Sequence, residues 1–476
     1  MAEVVVVGGG VGGLGVALAL GGRHGVTVVE RDCLPHADSP AAAFDAWQRR
    51  GAPQARHSHA FLARLRNLLR DRAPALRDEL LAEGATEIRL TEHPPPALVG
   101  MDAEPGDEDL VNIACRRTTF EWVLRRHVLA AGTQLRTAAV TGLVAEPGPP
   151  GTTGPRVGGV YLEDGSLVPA DLVVDASGRR SPLPGWLAAV GGGPVDETTD
   201  GTGIVYSSRF YAVTPGGSAP PLDRLVLGDL GHLKYALFPG DNGTFSITFG
   251  IRADDVALRG LLRADPFTLA ARALPLAPWL EPGRSEPITG VEVMGGLINR
   301  LRDFSPGGRP AATGIFAVGD SSVCTNPLYG RGCALALVQA FSLADVLAAH
   351  PDAGEDASLA FDRATAAEIA PWYRAAVAQD EADRADALAA ASGRDGGGGM
   401  AAILRQGLLP AARTDPVVYR AFVRSFNLLD PPGTMMTDPD VAARVLAAWQ
   451  ARDAPGGGAS AMGPGRDELL RILQEG

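Results

Sequence analysis

Of the 43 basic residues in this chain only Lys234 is a lysine, so chemistry that needs an ammonium group has one candidate. Basic runs are absent and the net charge is -12. That excludes the electrostatic footprint of a nucleic-acid binder and a polybasic membrane anchor. Cysteine is scarce: Cys33, Cys115, Cys324 and Cys333, with no C-x-x-C pair. This is neither a disulfide framework nor a zinc-ligand pattern, and it fits reduced thiols in a cytoplasmic protein. Long apolar runs are also missing. The best one, Val4 to Gly22, is broken by GGGVGG and preceded by a glutamate rather than a positive segment. The expectation is neither a secretion signal nor a membrane span.

What is present begins at that interruption. EVVVV reads as a short strand buried on both faces, and Gly8-Gly9-Gly10-Val11-Gly12-Gly13 fits G-x-G-x-x-G. Gly8 allows the tight turn, Gly10 lets backbone approach a pyrophosphate, and Gly13 lets the following helix pack on the strand. LGVALAL supplies the helix, whose first N–H groups face the phosphates. VTVVE supplies a second strand ending at Glu30, 22 residues after Gly8 and next to Arg31. A carboxylate there can accept both hydroxyls of an adenosine ribose. Set between two strands, the motif is a dinucleotide fingerprint.

A second segment separates FAD from NAD. TGIFAVGDSSVCTNPLYGRGCALALVQ places an apolar strand before Gly319-Asp320, then a loop, then a helix from Gly332. An aspartate at a strand's carboxyl end can bind the ribityl chain that FAD has and NAD lacks. The helix start favours the negative charge of a reduced flavin. ADLVVDASGRRSPLPGWL repeats the strand-to-loop logic with Asp175 and Gly178. No second complete glycine motif lies between a strand and a helix, so no separate nicotinamide domain is expected.

These segments, in this order, resemble the flavoprotein monooxygenases of the aromatic-hydroxylase superfamily (group A). RRGAPQARHSHAF (49–61), CRRTTFEWVLRRHVLAAG (115–132), VVDASGRRSPLPGWL (173–187), GDSSVCTNPLYGRGCALA (319–336) and NLLDPPGTMMTDPDVAARVL (427–446) resemble more narrowly the actinobacterial branch that includes monensin- and lasalocid-type polyether epoxidases. The resemblance implies a noncovalent FAD, activation of oxygen as a flavin hydroperoxide, and epoxidation or hydroxylation of a lipophilic small molecule in secondary metabolism. It places Gly8, Gly10, Gly13 and Glu30 at the adenosine pyrophosphate, Arg117 near the phosphates, Asp320 on the ribityl chain and Pro327 through Gly332, with Gly330 and Arg331, along the flavin. The middle motif departs from the family's adjacent Asp-Gly, since Asp175 and Gly178 stand three apart. Electrons from NADPH or NADH then arrive directly or through a flavin reductase.

The fold expected is α/β: a Rossmann-like FAD-binding domain (1–182 and 300–350), interleaved with an antiparallel substrate domain (183–299, with 85–110 assignable to it), and a C-terminal helical region (351–476). FSITFGI alternates with period two, and PGDNG joins it to YALFP as a hairpin. Tyr235, Phe245 and Phe249 are then candidates for an apolar pocket lining, against a role in packing the sheet alone. The C-terminal helices suit a cap over the pocket, or a packing or dimer element; 393–399 and 454–465 read as flexible breaks. His57, His59 and Tyr329 are the catalytic candidates, since histidine can shuttle protons near neutral pH. Competing readings are an FAD-dependent reductase of a prenyl or polyketide substrate, a flavin-binding protein without turnover, and a flavin halogenase. The halogenase family it would resemble uses a pocket lysine and a W-x-W-x-I-P stretch; this sequence lacks the stretch, and its Lys234 falls in the expected antiparallel substrate domain. Partners expected are an organic substrate and oxygen, and oligomeric state is open.

Overall fold

In the computed structural model, residues 1–148, 154–391, 403, 407–451 and 463–475 are described, without the side chains of 387–391. The glycine break at 393–399 and most of 454–465 lie outside them.

The architecture is α/β with mixed sheets and a C-terminal helical region. A five-stranded parallel sheet forms its centre, in the order Ile315–Ala317, Leu172–Asp175, Glu3–Val7, Gly25–Glu30, Gln134–Thr137. The valine run of the middle strand is explained by its two neighbours. Val4 and Val6 enter one core with the helices Val11–Leu20, Arg117–Ala130 and Gly332–Ala349. Val5 and Val7 enter another with Val157, Val160 and Leu162 of a small antiparallel sheet. A strand between two layers has no polar face to present. The helix Gly332–Ala349 is apolar and long enough to cross a membrane, but its Ala334, Leu337 and Ala340 are buried in the first core. It crosses the helix Val11–Leu20 so closely that a Cβ on Gly15 would lie 2.4 Å from Leu337 Cδ2.

The second large sheet is antiparallel, in the order Val226–Asp229, Lys234–Pro239, Thr244–Arg252, Ile204–Val213, Ser285–Pro287. The expected hairpin is there, with Pro239 opposite Phe245 and left-handed Asn242 and Gly243 in its turn (φ 52° and 69°). The period-two reading holds, but the pocket lining does not. Tyr235, Phe245 and Phe249 pack with Leu258, Phe267, Leu274 and Leu469 on the face away from the parallel sheet. The helix Ala264–Arg272 covers that face and takes up the apolar row. The opposite face carries Ser208, Ser246 and Thr248, which hydrogen-bond to His57 and Ser58.

Three of the described C-terminal helices are tied into the body, whereas Pro439–Gln450 packs on Leu408, Ala411 and Val418 of its C-terminal neighbours. Leu469 and Leu473 of Arg466–Gln474 belong to the core behind the antiparallel sheet. In Pro416–Phe426, Tyr419 and Val423 pack on Leu98 and Leu110, while Arg420 pairs with Asp107 and Glu104. From Ala370–Ala391, Asp380 accepts from Asn299 Nδ2 (2.7 Å) and Asn326 Nδ2 (2.8 Å), tying the helix to the loop before Pro327.

Candidate active site

A cleft runs along the carboxyl ends of the central strands, where an open parallel sheet holds its ligands. Its empty volume is about 1940 Å³, open mouth included. Gly8, Gly10, Glu30 and Arg31 line one part of it, Arg117, Gly178, Gly319 and Asp320 another, and Pro327, Gly330 and Gly332 a third.

The glycine turn is built as the motif requires. Gly8 has φ 103°, and a Cβ there would lie 2.5 Å from Ala176 O. A Cβ on Gly13 would sit 1.8 Å from Gly8 O, so the helix touches the turn it springs from. Gly10 differs: at φ -84° any residue fits, and nothing lies within 3.7 Å of its missing Cβ. The first groups met are Arg49 Nη2 (3.7 Å) and Arg117 Nη2 (3.8 Å). Gly10 is also the N-cap of Val11–Leu20, with no side chain capping the helix. Uncapped N–H groups, an open cradle and two guanidiniums together suit an anion such as a diphosphate.

Those guanidiniums are held by carboxylates. Arg49 reaches Glu121 Oε1 through Nε (2.9 Å) and Glu30 Oε2 through Nη1 (3.2 Å), and Arg117 Nε donates to Glu121 Oε2 (3.2 Å). Burial opposes the Arg49 charge, but Glu121, Glu30 and Asp32 outweigh it and hold its pKa above the ordinary value. Glu30 also accepts from Gly9 N (2.7 Å) and Asp32 N (2.8 Å), which fixes its carboxylate at the end of the second strand. Farther along, burial raises the pKa of Asp320, opposed by Arg117, Arg179 and Arg300.

Gly13, packed against Gly8, is not in the lining, and three further expected residues stand elsewhere. Asp175 is buried under the cleft floor. Its carboxylate accepts from Ser177 N (3.0 Å) and the Ser181 hydroxyl, closing the turn, so Ala176, Ser177 and Gly178 reach the cleft instead. Arg331 stacks on Tyr329 (4.5 Å) and Trp372 (5.0 Å) and is not in the lining. Burial lowers its pKa to about 10. Tyr329 shares that side, with its hydroxyl buried and its pKa raised by burial.

His57 and His59 do line the cleft. Burial lowers His57 to about 4; burial and then the Arg117 charge lower His59 to about 3. Both are neutral at pH 7, so the shuttle expected near neutral pH gives way to fixed hydrogen bonding. Arg117 Nη1 can only donate, so His59 Nε2 accepts (3.3 Å) and its Nδ1–H donates to His57 O (3.0 Å).

Sequence reasoning missed Arg49. Nothing local distinguishes it from Arg50; the fold buries the first and exposes the second. Arg117 and Glu121 carried a readable signal, an i,i+4 pair on one helix face.

No protein-family model matches the chain. Protein Rv3254 of Mycobacterium tuberculosis (strain ATCC 25618 / H37Rv) is 30% identical over 453 residues, 90% of each chain. Among solved structures, the Diels-Alderase PyrE3 of pyrroindomycin biosynthesis aligns with a TM-score of 0.58 at 19% identity, over 90% of this chain and 80% of its own. PqsL, a probable FAD-dependent monooxygenase from Pseudomonas aeruginosa, gives 0.56 at 16% identity, over 82% and 96%. The flavin-dependent brominase Bmp2 gives 0.54 at 15% identity, over 100% and 97%. At such identities the likeness is one of fold.

Proposed function

Since the chain belongs to the family of Protein Rv3254 of Mycobacterium tuberculosis, we propose, from its fold and cleft, that it is an FAD-dependent monooxygenase acting on a lipophilic small molecule by epoxidation or hydroxylation. The observation that carries this is the placement of Arg49 and Arg117 over Gly10 at an uncapped helix start. The residues fit the cofactor. Arg49, Arg117 and the first N–H groups of Val11–Leu20 would hold its diphosphate, Glu30 its ribose and Asp320 its ribityl chain. The segment from Pro327 to Gly332 would lie along the ring system. FAD, when bound, supplies the redox chemistry that activates oxygen. The chain binds, orients and excludes water. The helix start at Gly332 would favour negative charge on the bound cofactor by about 0.3–1 kcal/mol.

The brominase fold does not shift this reading. Lys234 is held between Asp229 and Asp383 (3.1 Å) on the antiparallel sheet, and no cleft residue is a lysine. Electrons come from NADPH or NADH, directly or through a flavin reductase. The test is oxygen uptake by the FAD-loaded protein with NADPH, with and without a flavin reductase, across a panel of polyenes and phenols. Substrate-dependent uptake, with label from isotopic oxygen in the product, supports the proposal. Substrate reduction without oxygen contradicts it.

A further inference from the structure

One hydrogen-bonded chain on the cleft side of the antiparallel sheet has a direction that its donors and acceptors determine. Ser58 Oγ donates to Ser246 Oγ (2.7 Å) and also contacts Thr248 Oγ1 (2.6 Å). A hydroxyl carries one proton, so Thr248 must donate in that second contact. Thr248 Oγ1 also lies 2.7 Å from Ser208 Oγ. With its proton used, Thr248 accepts there and Ser208 donates. Ser208 then has no proton for His57 Nδ1, 3.1 Å away, and must accept from it. The His57 ring proton is therefore on Nδ1. His57 lines the cleft, and no described residue hydrogen-bonds its Nε2. That nitrogen is a bare acceptor at a place where the sheet otherwise offers hydroxyls.

We propose that His57 Nε2 accepts a hydrogen bond from the substrate, so that the enzyme selects a molecule carrying a hydroxyl or N–H. A plain hydrocarbon alkene leaves the nitrogen desolvated and unmatched, which is costly in a closed site. Ser208 and Thr248 are positioning residues: they act on the substrate only by holding the tautomer of His57. The proposal rests on reading the cleft as a monooxygenase site.

Two measurements decide it. The first is a nitrogen NMR spectrum of histidine-labelled protein, with the His57 signals identified by their loss in His57→Phe. The expected result is a protonated Nδ1 and a bare Nε2, turning to a tautomer mixture in Ser208→Ala and Thr248→Val. A protonated Nε2 in the parent protein overturns the proposal. The second is a titration of the FAD-loaded protein with 2-naphthol, naphthalene and 2-methoxynaphthalene, read from the flavin absorbance band. The naphthol should bind about tenfold more tightly than either, and His57→Phe should erase that gap. Equal binding in the parent protein, a gap that survives His57→Phe, or no response to the naphthol each overturns it. Absence of any flavin band would refute the monooxygenase reading instead, while the nitrogen spectrum would still report the tautomer.

Discussion

Arg49 and Arg117 share one carboxylate: Arg49 Nε is ion-paired with one oxygen of Glu121 (2.9 Å), Arg117 Nε donates to the other (3.2 Å), and each leaves an Nη2 over Gly10. Glu121 thereby sets the spacing of two positive groups that repel each other. The pair is arranged before any ligand arrives, which lowers the ordering cost of binding.

Arg49→Met should weaken both the fold and the site. Glu30, Glu121 and Asp32 would lose their shared cation, and breaking a buried pair costs about 3–5 kcal/mol. The melting temperature should fall, and FAD should bind about a hundredfold more weakly. Arg49→Lys should restore neither, because one ammonium does not span Glu30 and Glu121. Thermal melts and fluorescence titration with FAD check both parts.

Asp320→Ala should bind FAD at least about tenfold more weakly while keeping its fold. The side chain has no structural hydrogen bond of its own among the described residues and faces the cleft under Arg117, Arg179 and Arg300. A variant that purifies with a full complement of FAD would contradict its assignment to the ribityl chain.

Asp362 offers a test of stability against pH. Burial raises its pKa to about 6, against which Ser305 works by donating to it. A carboxyl with a raised folded-state pKa favours the fold at low pH, and that contribution is lost as pH rises from the unfolded value to about 6. Asp362→Asn should therefore stabilise the protein at neutral pH by on the order of 2 kcal/mol and flatten the curve across that window. Apparent urea midpoints at about pH 4, 6 and 8 measure it.

Leu469→Ala should separate packing from cofactor binding. Leu469 is fully buried behind the antiparallel sheet with Phe267 and Leu258. Its loss should cost about 2–5 kcal/mol, lower the melting temperature and leave FAD affinity unchanged. A fall in affinity with no change in stability would show that the terminal helix acts on the cleft.

The parallel sheet and glycine turn were legible because local rules carry them: a valine run, three glycines with separate steric duties, an acid at the next strand's end. Arg117 was legible through its i,i+4 spacing to Glu121, a spacing that Arg116 lacks. The partner of Arg116 was not: it clamps Asp241 in the hairpin turn (2.6 Å) while Arg117 enters the cleft, and only the antiparallel sheet's position decides that. The same holds for Phe245 and Ser246: alternation assigns them to opposite faces, but the helix covering one face decides which looks at the cleft. Asp175 was misplaced because a carboxylate after a strand can serve a ligand or close its own turn, and here Ser177 and Ser181 claim it.

The most direct test is FAD titration of the parent protein and Gly10→Ala, with thermal melts of both. A Cβ at Gly10 meets no protein atom closer than 3.7 Å and a backbone angle of -84°, so the variant should fold as the parent does. It should bind FAD at least about tenfold more weakly, because the methyl group would occupy the space proposed for the diphosphate. A parent protein that takes up no FAD, or a Gly10→Ala variant that binds it equally well, would contradict the account.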